Sequence, residues 1–318
     1  VSGLFTPLRV PLFLLIAGIF SSIGLRKYST GKFIRKRFLR IVVPFCFAVP
    51  TVGFLFHTNL TERWSEGTWS HLLISYLHPV GGGGYGHLWF LFVLIVYTMA
   101  AVFVASAAFR LPPVKDLIHP LPALLFQHWW ILLLGFMFIE GLQVLARSYG
   151  LLADLNLGPK LPLSAVLIYS HYFVVGLMAG LRMENFHAFL KRGVSAILAI
   201  VLFALFLRIL CWELREGPFF HFFSILSIPL TLYGVVALVF QCPEFVPGFL
   251  GKVAPMSYPI YILHMPILQF SVLALLAAGI PPLPIYFTLL LLLYPLSFRV
   301  ATFLVRFPPF SLVLRGKL

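Results

Sequence analysis

Charge is what this chain has least of, and acidic charge least of all. Nine Asp and Glu face 23 Lys and Arg among 318 residues, and the four charged types together make up 10% of the sequence. A water-soluble domain needs a polar surface, and a chain that is 61% hydrophobic with a mean hydropathy of +1.01 cannot supply one. Cysteine is nearly absent: Cys46, Cys211 and Cys242 form no CxxC pair, which excludes a disulfide framework. No HxxxH or comparable spacing brings two imidazoles to one helix face, so no metal site is expected. Internal repeats and low-complexity linkers are missing as well.

What the chain does have is apolar runs near the ~20 residues that cross a hydrocarbon core. They recur along its whole length and predict an all-α, polytopic transmembrane bundle forming one domain over residues 1–318. Nine spanning helices are expected, at 3–24, 41–57, 87–108, 119–145, 163–182, 193–210, 220–241, 256–279 and 283–305. Alternating the loops around these spans puts 17 of the 23 cations on the side of the 25–40 loop. Six fall opposite: Arg9, Arg63, Arg147, Lys160, Arg208 and Arg215. Cytoplasmic loops carry the excess of Lys and Arg, so the N-terminus is expected outside and the C-terminus inside. A first helix entering from outside, in a chain whose first residue is Val, suggests that an upstream span is missing, giving about ten in the intact protein. The segment 11–23 lacks a basic n-region and a small-residue cleavage site, so it is read as a retained helix and not a signal peptide.

The net charge of +14 is explained by membrane orientation and by attraction to anionic inner-leaflet lipid, and no nucleic-acid partner is expected. Its densest point is the segment 31–44, GKFIRKRFLRIVVP, where Lys32, Arg35, Lys36, Arg37 and Arg40 sit between two apolar runs. A phosphate-rich cytosolic ligand fits there. On the outer side, the segment 58–86 carries Trp64, Trp69 and Tyr76, which are expected as interfacial anchors, and ends in the glycine run Gly81–Gly84, for which a mobile lip over an outward-facing cavity is the alternative reading.

Ionisable side chains inside hydrocarbon are expensive and normally face a cavity or a partner. Within the predicted spans they are Arg9, His87, His128, Glu140, His171, His221, His264 and Arg299. His264 lies about eight residues into its helix, in SYPIYILHMP, with Tyr261 one turn back on the same face. Pro266 frees a backbone carbonyl one turn earlier, which makes a polar pocket plausible there. Two further groupings are HLWFL at His87–Leu91, opening the third helix from the outer side, and Arg9 followed by PLFLLIAG, whose small residues let helices approach closely.

Taken in order, Arg9 with PLFLLIAG, the RxxR pair Arg37 and Arg40 followed by Pro44, HLWFL and SYPIYILH resemble the acyltransferase 3 family of integral membrane acyltransferases. The spacing and the ending RFPPFSLVLRGK look similar to its glucans biosynthesis protein C branch, which succinylates periplasmic glucans. The resemblance implies an enzyme of the bacterial inner membrane that takes an acyl group, succinyl or acetyl, from cytosolic acyl-CoA. It delivers that group to a hydroxyl of an extracytoplasmic carbohydrate. The partners implied are acyl-CoA, the carbohydrate acceptor and the lipid bilayer, with no bound cofactor. Arg37 and Arg40 would hold the CoA end, since guanidinium forks bind phosphate in pairs of hydrogen bonds. Arg9, His87, Trp89 and Tyr261 would contact substrate. The family's leading candidate for the base is a His in its first helix, about ten residues after an Arg or Lys, and no segment of this chain matches it. His264 is then the candidate catalytic group, as base, orienter or structural residue.

A transporter of a small polar or anionic solute would use the same intramembrane ionisable groups, and inverted repeats with broken helices in both halves would favour it. A purely structural membrane protein would need none of these motifs in register.

Overall fold

The computed structural model describes residues 2–53, 88–110, 120–151, 163–191, 199–200, 202–204, 206–207, 209, 218–241, 248, 251 and 253–315. Everything regular in them is helical. The elements are α1 (Ser2–Lys27), α2 (Thr30–Arg37), a π-helical turn Phe38–Val42, α3 (Val43–Ala48), and a second π-turn Val49–Gly53. They continue with α4 (Trp89–Arg110), α5 (Leu121–Gln127), α6 (Trp129–Ser148), α7 (Leu163–Leu181), α8 (Met183–Leu190) and α9 (Pro218–Gln241). The chain ends in α10 (Ser257–Ala277), α11 (Pro282–Leu304) and α12 (Pro308–Arg315).

Among the described residues, five stretches are long and apolar enough to cross a bilayer: Leu8–Lys27, Trp89–Ala107, Leu163–Leu181, Ala254–Ala277 and Pro282–Leu304. A sixth arises if α5 and α6 are one broken span. The nine spans expected from hydropathy include these five, and the other four, 41–57, 119–145, 193–210 and 220–241, are interrupted or lie only partly within the described residues. The described part of the 41–57 run alternates between π-helical and α-helical pieces, with Pro44 and Pro50 each removing a backbone donor. The 119–145 run bends by 101° around His128, whose backbone leaves the helical region at φ −109°, ψ 76°. In α9 the stretch Leu226–Gln241 is apolar helix, and much of 193–210 lies outside the described residues.

Chain contacts divide the protein into two units, Val1–Phe33 with Val96–Asn156 and Leu163–Val246, and Ile34–Ile95 with Leu157–Pro162 and Pro247–Leu318. The first is organised by α1 against α7, which run parallel at backbone contact. A Cβ on Gly18 would stand 2.3 Å from the Phe173 carbonyl oxygen, one on Gly176 2.1 Å from that of Leu15, and one on Gly180 2.7 Å from that of Ile19. Gly176 and Gly180 form a GxxxG pair, and in lipid such close approach replaces the hydrophobic drive that water would provide. Where the pair ends, Arg26 donates to the carbonyl of Leu181 at 3.2 Å, satisfying a helix C-terminus with a cation. Phe126, Ala179, Phe186, Leu190 and Ala237 form a second buried cluster in this unit. Beside it lies a cavity of about 160 Å³ lined almost wholly by carbon, large enough to stay dry yet hold a small apolar group.

In the second unit, α10 and α11 form a long antiparallel pair joined through Met256, Ile260 and Ala301. The opposite face of α11 exposes Leu283, Phe287, Leu290, Leu291 and Tyr294. A run of large apolar side chains on an outer helix face, far beyond what a soluble surface carries, is the lipid-facing side of a membrane protein.

Candidate functional site

Three of the four motifs singled out in the sequence meet in the second unit. Ala48 and Val52, from the segment after the RxxR pair, share one buried cluster with Leu88 and Leu91 of HLWFL and Ile262 of SYPIYILH; Leu314 of α12 closes it. Phe45, Phe90, Tyr258 and Tyr261 pack on its margin. The core is made of the apolar residues of the motifs, so their polar members are held around it.

Arg37 ends α2, and Arg40 sits three residues on, inside the first π-turn, a kind of helix irregularity frequent at functional sites. Arg37 is half-buried and Arg40 exposed. Burial, reinforced by the Arg40 charge, lowers the Arg37 guanidinium below its ordinary range to about 10. It therefore stays cationic at neutral pH while partly stripped of water, beside a second cation. An anion with several oxygens would relieve both penalties at once. The carbonyl of Ile41, next in chain to Arg40, accepts a hydrogen bond from the Tyr258 hydroxyl at 3.4 Å, which ties the basic segment to the start of α10.

One turn further along α10, the Tyr261 ring meets Phe90 edge-on at 5.8 Å, and Phe90 meets Trp89 at 6.3 Å. His264 lies 5.8 Å from the Tyr261 ring, and its Nδ1 is 2.7 Å from the Tyr261 carbonyl oxygen. A carbonyl only accepts, so Nδ1 carries the proton, and the neutral ring then has its lone pair on Nε2, the form a general base requires.

The remaining candidates separate. Arg9 is exposed on α1 and belongs to the first unit. His87 and the Gly81–Gly84 run lie outside the described residues. HLWFL was expected at an outer helix start and SYPIYILH near an inner one, yet their shared core puts the starts of α4 and α10 at one level of the second unit. Sequence reasoning passed over Tyr258 as a link to the basic segment, because a side chain reaching a carbonyl 217 residues away leaves no local signal. It also left Glu140 and His171 as separate polar residues, whereas α6 and α7 bring them to 3.1 Å. No group of three or more metal-ligating side chains occurs among the described residues.

The acyltransferase 3 family model, described as an acyltransferase domain, matches residues 1–302, nearly the whole chain. The chain belongs to that family. This membrane acyltransferase matches no curated protein and no solved structure. The motif residues of the acyltransferase that gather in one core are thus carried by the same stretch of chain that defines the family.

Proposed function

We propose that the protein transfers an acyl group from cytosolic acyl-CoA to a hydroxyl of an extracytoplasmic carbohydrate, in the inner membrane of a bacterium. Succinyl transfer to periplasmic glucan is the first pairing to test and acetyl transfer the second. The observation that carries this is the single core joining the RxxR segment, HLWFL and SYPIYILH, because it fixes a cationic anchor and a histidine within one unit. Arg37 and Arg40 take the phosphates of the donor as an anion pair site. Tyr261, Trp89 and, by its place in the motif, His87 contact substrate. His264 Nε2 accepts the proton of the acceptor hydroxyl as its oxygen attacks the thioester carbon. Sulfur leaves with the bonding electron pair and takes up a proton to give the free thiol.

The test is transfer of label from succinyl-CoA or acetyl-CoA to extracted periplasmic glucan, using membranes carrying the protein expressed from its whole reading frame. Alkali-labile label on the glucan is the expected result. Absence of label with both donors, with folded protein present, would overturn the donor and acceptor assignment and favour solute transport.

A further inference from the structure

Glu140, Gln143, His171 and Tyr172 form a polar cluster inside the first unit, where α6 and α7 run antiparallel through apolar surroundings. They sit on the inward face of α6. Phe136, Glu140 and Gln143 recur at helical spacing on that face, while Leu134, Phe138, Leu142 and Leu145 are exposed on the opposite one. The Tyr172 hydroxyl donates to Glu140 Oε1 at 3.0 Å, and His171 Nε2 lies 3.1 Å from the same oxygen. Gln143, one turn along α6, donates from Nε2 to the Ile168 carbonyl at 3.0 Å.

These contacts take the Tyr172 hydroxyl and one Gln143 amide hydrogen, and they leave buried acceptors. His171 is 6% exposed, and its Nδ1 has no hydrogen-bond partner among the described residues; the same holds for Gln143 Oε1. Nε2 faces the carboxylate without the alignment of a hydrogen bond, but a proton placed there is favoured by the charge, and Nδ1 is then a lone pair. Glu140 keeps a second carboxylate oxygen, and its side chain is the most open of the pair at 14%. Buried acceptors without donors are costly to leave unmet and uncommon in native proteins. A molecule that meets them must bring several O–H or N–H groups and no further negative charge.

We propose that Glu140, Gln143 and His171 form a second polar site that binds the hydroxyl groups of a neutral polyol, a sugar unit of the acyl acceptor. The identification of the polyol as acceptor rests on the acyl-transfer function proposed above; the site's preference for hydroxyl donors does not. Tyr172 is a positioning residue that holds the carboxylate for this contact. Phe136, edge-on to the His171 ring at 5.1 Å, and Tyr172, at 4.1 Å, fix the imidazole from two sides.

The experiment compares the wild type with Gln143→Leu and Glu140→Gln, the second keeping the side-chain shape and the bond from Tyr172. Three quantities are read: KM for glucan, KM for the acyl donor, and the rise in melting temperature on adding glucan without donor. The expected result is a glucan KM raised about two- to tenfold, the range that one lost hydrogen bond gives, with the donor KM unchanged and the glucan-induced rise diminished. Unchanged glucan KM alongside a lower melting temperature would overturn the proposal, because a cluster that merely encloses a water behaves that way. A wild-type rise without any transfer of label would sink the acyl-transfer function while upholding the site. Transfer without a rise, and with unaltered glucan KM in both variants, would do the reverse.

Discussion

Arg37 and Arg40 are two cations within one turn, and only one of them is fully bathed in water. Burial and the Arg40 charge both disfavour the Arg37 cation, and on the donor-binding role proposed above its removal should be felt in donor binding more than in folding. Arg37→Ala is expected to raise the KM for acyl-CoA by about 10- to 100-fold, the worth of hydrogen bonds to a charged partner. Arg37→Lys should recover only part of this, since an ammonium cannot form the two-pronged contact. Steady-state kinetics at saturating acceptor decide it, and an unchanged donor KM would remove Arg37 from the binding role. His264 is half-buried and is proposed to take the hydroxyl proton, so its loss should cost chemistry more than stability. His264→Gln is expected to lower kcat by about 10² to 10⁴ with a melting temperature near wild type, and normal turnover would reduce it to a packing residue. Both residues were legible in the sequence because their motifs are local. The contact between His264 Nδ1 and the Tyr261 carbonyl was not, because the turn of a ring toward one backbone oxygen leaves no mark in the residue pattern.

At the scale of the helix, hydropathy finds apolar length and is blind to where a helix breaks. The runs around 41–57 and 119–145 look continuous by composition, yet one contains two π-turns and the other turns sharply at His128. Backbone geometry decides those breaks. Helix contact is written more openly, as small residues at Gly18, Gly176 and Gly180. Gly176→Ala forces a Cβ to within 2.1 Å of the Leu15 carbonyl oxygen, which only separation of α1 from α7 can relieve. A marked fall in melting temperature or in folded yield is expected, by the 1–3 kcal/mol or more typical of overpacking, roughly. Gly31→Ala is the internal comparison: no atom lies within 4 Å of its added Cβ, and α2 should gain stability of about 0.5–1 kcal/mol. Equal behaviour of the two variants in a detergent melting assay would contradict the contact.

For the whole molecule, the sequence gives class and orientation through its cations, and the structure adds which segments share a level. Tyr258 is bonded beside Arg40, and the core sets the start of α4 level with that of α10. In a background lacking Cys46, Cys211 and Cys242, single cysteines at Lys36, Ser257 and Trp89 should therefore react with an impermeant thiol reagent from the same face of the membrane. Labelling at Trp89 only from the opposite face would restore simple alternation of spans from HLWFL onward. The units themselves were invisible in the sequence, because each is assembled from three separated stretches of chain. Glu140 and His171 show why: 30 residues stand between two side chains that finish 3.1 Å apart.

The contact between α1 and α7 also changes how a mutational scan of this protein should be interpreted. Loss of activity on substitution would mark Gly18, Gly176 and Gly180 as sharply as Arg37 or His264, although the three have no side chain to contribute. Intolerance at those positions is a ruler laid between two backbones, and the catalytic map emerges only after it is subtracted.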